Sequence, residues 1–336
     1  MKTSKYNYEI TVAIEAVRRA SKLTLNVLTM FDATMLTKQD KSPVTIADFG
    51  SQALICKTLK EKFPNDPVIG EESSTVLQEP DNIDTLNQVV KCVSKLAQVG
   101  STQEVCNWID HGSANYYSER FWTLDPIDGT KGFIRGDQYA VALALVVSGH
   151  PVAAIVGCPK LNNGIIFVST IDCGTFKLPL NGYAMAGEQR VYVNDETDTT
   201  KIRYCESVEL AHTSHSLSAQ LFEKLGGTNK PIKMDSMAKY GIVASGDAEV
   251  YLRMPREGYV EKIWDHAPGQ AIIEAAGGKV SDLDGKPLDY TCGRGFENNR
   301  GVIATNGLLH SDVLRAIEKL DTIPNISPTD LVKSDD

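Results

Sequence analysis

Residues 121–130 read Phe-Trp-Thr-Leu-Asp-Pro-Ile-Asp-Gly-Thr, a mostly apolar run that ends in two carboxylates, Asp125 and Asp128. The part from Phe121 to Leu124 reads as a short buried strand. Two carboxylates at the end of such a strand repel each other, and each loses hydration as it leaves water. A divalent cation relieves both costs, and hard oxygen ligands of this kind suit Mg²⁺ or Ca²⁺. Gly129 and Thr130 follow with backbone N–H groups and a hydroxyl, which suit a phosphate. Whatever fold the chain adopts has to leave a polar, ion-accessible site at the end of this strand. The stretch points to metal-assisted chemistry on a phosphate.

The chain of 336 residues is long enough for one large domain or two of ordinary size. Its formal charge of −9 argues against a nucleic-acid partner, which calls for a basic face. A small anionic substrate remains compatible with that charge, because a metal and a few local cations set the potential in a cleft. No segment approaches the roughly 20 apolar residues that span a bilayer, so no membrane partner is expected. The N-terminus, Met-Lys-Thr-Ser-Lys-Tyr-Asn-Tyr, has no apolar core of a secretory signal. The 7 cysteines include no Cys-x-x-Cys pair, so free thiols in a reducing cytoplasm, or alternatively the nucleus, are expected rather than a zinc site or disulfides.

Ile10, Ile14, Val17, Ser21, Leu25, Leu28 and Phe31 recur at helical spacing, which predicts an amphipathic helix over about residues 6–32. A polar break at 38–43 precedes a second helix, about 49–63, and a short strand, Val68 to Gly70, that delivers Glu71 and Glu72. Residues 74–85 read as a polar loop, and Leu86 to Leu96 as another helix. Two strongly β segments, 139–147 and 152–158, flank a turn, and 165–170 and 175–178 form a second hairpin. Beyond a polar stretch at 180–200, strands near 202–206, 231–234, 249–253 and 301–305 alternate with helices near 214–225, 237–245, 266–276 and 308–319. The pattern predicts an α+β N-terminal domain (1–185), an α/β C-terminal domain (186–325) and a polar tail (326–336).

Four acidic sites stand out: Asp48, Glu71, the pair Asp125 and Asp128, and Asp265. Each alone has an ordinary explanation. Asp48 and Asp265 suit helix N-caps, Glu71-Glu72 suits a solvated loop, and Asp128-Gly129 suits a turn. Together they are harder to dismiss.

The strings Asp125-Pro-Ile-Asp-Gly-Thr130, Gly70-Glu-Glu-Ser73 and Trp264-Asp-His-Ala-Pro-Gly269 resemble those of the lithium-sensitive, magnesium-dependent phosphomonoesterases. These comprise inositol monophosphatases, inositol polyphosphate 1-phosphatases, fructose-1,6-bisphosphatases and 3′(2′),5′-bisphosphate nucleotidases. The resemblance runs over about residues 8–320 and implies a layered αβαβα sandwich of the α/β class. Lys131-Gly-Phe-Ile-Arg-Gly136, Asp235-Ser-Met-Ala-Lys-Tyr240 and Val250-Tyr-Leu-Arg-Met-Pro255 look most like the nucleotidases of fungal type.

The resemblance implies two or three Mg²⁺ ions. Glu71, Asp125 and the carbonyl of Ile127 would hold one; Asp125, Asp128 and Asp265 would hold a second; Glu71 and waters would hold a third. Asp48 and Thr130 would activate the attacking water, and the N–H groups of Gly129 and Thr130 would cradle the departing phosphate. His212, Ser236, Lys239 and Arg253 match nucleotide contacts, although Leu210-Ala211 stands before His212 where fungal relatives tend to carry Lys-Gly. The expected substrates are adenosine 3′,5′-bisphosphate and 3′-phosphoadenosine 5′-phosphosulfate, acted on by a monomer in sulfate assimilation, with Li⁺ inhibiting. Two rivals stand beside this reading. One is an inositol phosphate phosphatase of the same fold, which has no second nucleotide phosphate for Arg253 to meet. The other is a non-catalytic nucleotide sensor, which predicts a broken acidic set, whereas every acidic position is present.

Overall fold

The structure is a computed structural model that describes residues 4–30, 35–37, 43–183, 185–208, 215–254 and 259–320. Helix α1 (Asn7–Met30) follows the predicted periodicity at Ile10, Ile14, Val17 and Ser21, all buried. Further along, the buried stripe passes through Leu23, Thr24 and Val27 rather than Leu25 and Leu28. Phe31 lies outside the described residues, as do residues 38–42 of the expected polar break. A short antiparallel pair, β1 (Met35–Thr37) and β2 (Pro43–Thr45), precedes α2 (Ile46–Lys62).

A seven-stranded sheet follows: β3 (Val68–Gly70), β4 (Arg120–Asp128), β5 (Ala140–Val147), β6 (His150–Cys158), β7 (Ile165–Thr170), β8 (Gly174–Pro179) and β9 (Gln189–Val191), in that spatial order. Only the β3–β4 pair is parallel. Helices α3 (Ile83–Ser94) and α4 (Thr102–Ile109) pack against α2, and the short α5 (Thr130–Arg135) follows β4. The expected loop at 74–85 holds two 3₁₀ turns, Thr75–Gln78 and Pro80–Asn82, before α3 begins. The sheet's last strand, β9, lies a few residues past position 185, where the domain division was expected.

The second half forms a five-stranded sheet in the order β11-β10-β12-β14-β13: β10 (Tyr204–Glu206), β11 (Ile232–Lys233), β12 (Val250–Arg253), β13 (Lys279–Ser281) and β14 (Val302–Thr305). Its helices are α6 (His215–Lys224), α7 (Ala238–Ala244), α8 (Ala267–Ala275) and α9 (His310–Glu318).

Side-chain alternation assigns the layers. Trp122, Leu124, Val141, Leu143 and Leu145 pack with α1 and α2 residues such as Ile10, Val17 and Ile55. Phe121, Ala140, Ala142, Ala144 and Val146 face the opposite way, onto Tyr240, Val243, Ala267, Ala271 and Ile272 of α7 and α8. The reverse side of those helices meets Cys205, Tyr251, Val302 and Ala304 of the second sheet. Its outer face, with Tyr204, Val250, Leu252 and Ile303, is covered by Leu221 of α6 and Val313 and Ile317 of α9. The result is the αβαβα sandwich, driven by burial of two apolar sheet faces on each side. All 7 cysteines are free thiols. Among the described residues no helix is long and apolar enough to cross a membrane.

Candidate metal and phosphate site

Strands β3 and β4 run parallel with Gly70 opposite Leu124, and the Glu71 N–H donates to the Leu124 carbonyl at 3.2 Å. Glu71 and Asp125 therefore stand side by side just past the end of that parallel pairing. Strand β4 continues beyond the predicted Leu124 through a bulge. Asp125 pairs with Ala142 and Asp128 with Ala140, so three steps on β4 oppose two on β5. Pro126, which has no N–H to give a ladder, sits within that bulge. Asp265 arrives from the other half, at the end of the 3₁₀ turn Ile263–Asp265. One carboxylate oxygen each from Asp125, Asp128 and Asp265 lie within 4.8 Å of one another.

The electrostatics show what this cluster lacks. Burial raises the Asp125 carboxyl well above its ordinary range, and Glu71, Asp128, Asp265 and Asp48 push it further. Burial also raises Asp128, against the pull of Lys239, Arg253 and the Met237 N–H, and lifts Asp265 to about 7 against Arg253 and His266. Asp125 Oδ1 is buried and has no hydrogen-bond partner among the described residues. A buried, unpartnered acceptor is costly. Converging oxygens of this kind fit a hard divalent cation, which supplies the missing positive charge and takes up the orphaned lone pairs.

The loop that carries Glu71 is pinned from two sides. The Gln52 side-chain amide donates to the carbonyls of Glu72 (2.6 Å) and Ile109 (2.9 Å) and accepts from the Glu72 N–H (3.0 Å). Arg294 donates to the carbonyls of Gly70 (2.7 Å) and Glu71 (3.3 Å), with its guanidinium 4.6 Å from the Trp264 ring centroid. Arg294 thus ties the Glu71 loop to the turn bearing Asp265. Trp264 is itself buried beside the site.

Asp48 and Thr130 are brought together. Asp48 is not the N-cap of α2 but its third residue. Thr45 caps, and Asp48 Oδ2 accepts from the Thr45 N–H (2.8 Å) and the Thr45 hydroxyl (2.6 Å) in a capping box. Asp48 Oδ1 accepts from the Thr130 hydroxyl at 3.2 Å, and that hydroxyl also lies 3.1 Å from the Ile127 carbonyl. The turn into α5 uses Gly129 at φ +85, where a Cβ would approach the Ser236 Cβ to 3.3 Å. A side chain at 129 would be strained by its backbone and crowded by the other half.

Ser236, Lys239 and Arg253, the expected nucleotide contacts, are buried polar groups that already have partners. Ser236 has φ +71, and its hydroxyl accepts from the Ala238 N–H at 3.3 Å. Lys239 is buried and donates to the carbonyls of Ser236 (2.8 Å) and Met234 (3.1 Å). Burial lowers the Lys239 pKa, with Asp128 opposing. Arg253, expected to face a second phosphate, lies at the end of β12. Its Nε donates to Glu261 at 2.8 Å, and its Nη2 lies 3.5 Å from Asp265 Oδ2. Glu261 also faces His266 Nε2 at 3.0 Å, and His266 Nδ1 meets the Tyr240 hydroxyl at 2.7 Å. Burial alone would raise Glu261, but Arg253 and His266 hold it at about 2. Glu261, Asp265 and His266 also lie close enough to share an ion. The commitment of Glu261 to Arg253 makes that group an ion-pair network instead. His212 lies outside the described residues.

Comparison with known proteins places this geometry. A model of the inositol monophosphatase family matches residues 6–322. The chain is 43% identical to the 3′(2′),5′-bisphosphate nucleotidase of Schizosaccharomyces pombe, over 93% of this chain and 95% of that protein. It is 38% identical to 3′(2′),5′-bisphosphate nucleotidase 2 of Candida albicans, over 95% and 98% respectively. Among solved structures, an extragenic suppressor protein suhB from Bartonella henselae superposes with a TM-score of 0.66 at 18% identity, covering 92% of this chain and 98% of that one. An IMPase from Thermotoga maritima gives 0.63 at 20%, with 91% and 95% covered.

Proposed function

The chain belongs to the inositol monophosphatase family, and from that premise we propose that it is a 3′(2′),5′-bisphosphate nucleotidase. It removes the 3′-phosphate of adenosine 3′,5′-bisphosphate to give AMP and phosphate, and acts likewise on 3′-phosphoadenosine 5′-phosphosulfate. The observation that carries the choice within the family is identity of 36–43% to nucleotidases over more than nine-tenths of the chain. The chemistry is supported by carboxylate oxygens of Asp125, Asp128 and Asp265 within 4.8 Å of one another, and by a buried Asp125 oxygen with no hydrogen-bond partner among the described residues.

In this reading Glu71, Asp125 and the Ile127 carbonyl would hold one Mg²⁺, and Asp125, Asp128 and Asp265 would hold another, with Glu71 contributing to a third. When bound, these ions neutralise the phosphate and make an attacking water more acidic. The protein supplies the rest. Asp48, with Oδ2 fixed by Thr45, accepts the Thr130 hydroxyl proton through Oδ1. That leaves the Thr130 oxygen to accept from the water and pass its proton towards Asp48. The N–H groups of Gly129 and Thr130 receive the departing phosphate. Ser236 and Lys239 bind the nucleotide side, and Arg253 reaches the second phosphate with the guanidinium edge that Glu261 leaves over. His212 completes the nucleotide contacts.

A phosphate-release panel tests the reading: adenosine 3′,5′-bisphosphate, 3′-phosphoadenosine 5′-phosphosulfate, inositol 1,4-bisphosphate and inositol 1-phosphate, each with and without Mg²⁺ and Li⁺. The two adenosine substrates should be turned over fastest, with Mg²⁺ required and Li⁺ inhibiting. Faster turnover of inositol 1,4-bisphosphate would replace the nucleotide reading with the inositol phosphate one.

A further inference from the structure

Two segments from opposite halves of the chain meet beside the site, residues 128–135 and 235–237. Arg135, the last residue of α5, forms an ion pair with Asp235, which is buried. One turn earlier, Gly132 lies beneath the same carboxylate: a Cβ there would come within 2.8 Å of Asp235 Oδ2 and 2.4 Å of the Gln138 carbonyl. A Cβ at Gly129 would come within 3.3 Å of the Ser236 Cβ. The Met237 N–H donates to Asp128 Oδ2. Helix α5 is itself anchored, because buried Phe133 packs edge-on against Tyr139 with ring centroids 5.0 Å apart.

Between these contacts sits Ser236 at φ +71, a left-handed conformation that a serine does not choose freely. Such a residue persists where its surroundings over-determine it. The Met237 N–H fixes one end of the 235–237 turn to Asp128. Arg135 and Gly132 fix the other end through Asp235.

We propose that Arg135 and Asp235 are positioning residues that set the distance between the metal end and the nucleotide end, and so the affinity for a substrate with two phosphates. This rests on the assignment of Ser236 and Lys239 to the nucleotide side made above. A bisphosphate has to reach both the Asp125–Asp128–Asp265 cluster and the segment carrying Ser236 and Lys239. Its binding depends on their separation. The reacting end does not, because Asp128 keeps its Met237 N–H when the ion pair is cut.

The test is steady-state kinetics on adenosine 3′,5′-bisphosphate for the wild type, Arg135→Ala, Arg135→Lys and Asp235→Asn. Loss of one partner of a charge pair that includes a buried carboxylate should raise KM about tenfold in Arg135→Ala and Asp235→Asn, with kcat within about twofold of wild type. The Mg²⁺ concentration giving half-maximal rate should stay unchanged, and Arg135→Lys should recover most of the affinity. Arg135 is partly exposed, with 37% of its side chain accessible, so its truncation tests the idea even if Asp235→Asn fails to fold. A fall in kcat as large as the rise in KM, or an unchanged KM, overturns the proposal. If the wild type ignores adenosine 3′,5′-bisphosphate, the nucleotide reading alone fails. The same variants are then measured on inositol 1,4-bisphosphate, where a KM rise keeps the positioning role and an unchanged KM ends it.

Discussion

The two ends of the candidate site are built on different principles. At the proposed metal end, Glu71, Asp125 and Asp128 are carried by strand termini whose register fixes them, and the carboxylates face one another short of positive charge. At the proposed nucleotide end, Lys239 and Arg253 are buried cations that spend much of their hydrogen-bonding capacity inside the protein, on carbonyls and on Glu261. The first end is held by the backbone and left electrostatically incomplete. The second is electrostatically balanced, and its geometry depends on side-chain pairs. Changes at the first should therefore strike chemistry and spare the fold, whereas changes at the second should strike stability and affinity.

The largest expected effect is at the metal end. Asp125→Asn should lower kcat by about a thousandfold or more, the scale at which a principal electrostatic group is lost. In EDTA the same variant should resist urea better than wild type by about 1 kcal/mol, because a repelling buried charge is gone. Substantial residual turnover, or a loss of stability without metal, would erase the contrast between the two ends.

The next effect lies behind the nucleotide end. Glu261→Gln leaves Arg253 buried without its main counter-charge, so urea unfolding should show a loss of about 3 kcal/mol. Turnover at saturating substrate should fall less than about tenfold. A kcat loss far larger than that would place the Glu261 network with the reacting groups through Asp265.

The smallest effect is remote from both ends and sets their baseline. His310 is buried between Ser281 and Thr305, and burial lowers its pKa to about 4. The unfolded chain binds that proton below about pH 6.5, while the folded protein refuses it down to about 4. The protein should therefore lose stability progressively as the pH falls from about 6.5 to about 4. In His310→Gln, this part of the acid dependence of the melting temperature should flatten. An unchanged slope would show that other groups govern it.

The sequence made the acidic cluster legible because acids that follow apolar runs conflict with burial, and the conflict itself is the signal. It left Glu261 and Arg294 invisible, since an isolated Glu or Arg in a polar stretch says nothing until the fold supplies its partners. Helix α4 is a different kind of miss. Ser101-Thr-Gln-Glu104 before Val105 is a capping-box pattern, and the Ser101 hydroxyl does accept from the Glu104 N–H at 3.2 Å. The signal was present but no helix was assigned to it. Helix α5, with six residues between Gly129 and Gly136, is too short to show a period at all. The Glu261 partner of Arg253 was hidden for a third reason: position on a strand end says where a side chain starts, not which carboxylate claims it.

The bulge in β4 has an arithmetic consequence. Along a regular strand, side chains alternate between faces, so positions an even number apart share a face and positions an odd number apart do not. Asp125 and Asp128 are separated by an odd count, yet they stand opposite Ala142 and Ala140, two residues that share one face of β5. The extra residue corrects the parity. The acid–Pro–x–acid string can converge on one ion only where the ladder is irregular, so the spacing of the two acids already encodes a break in the sheet.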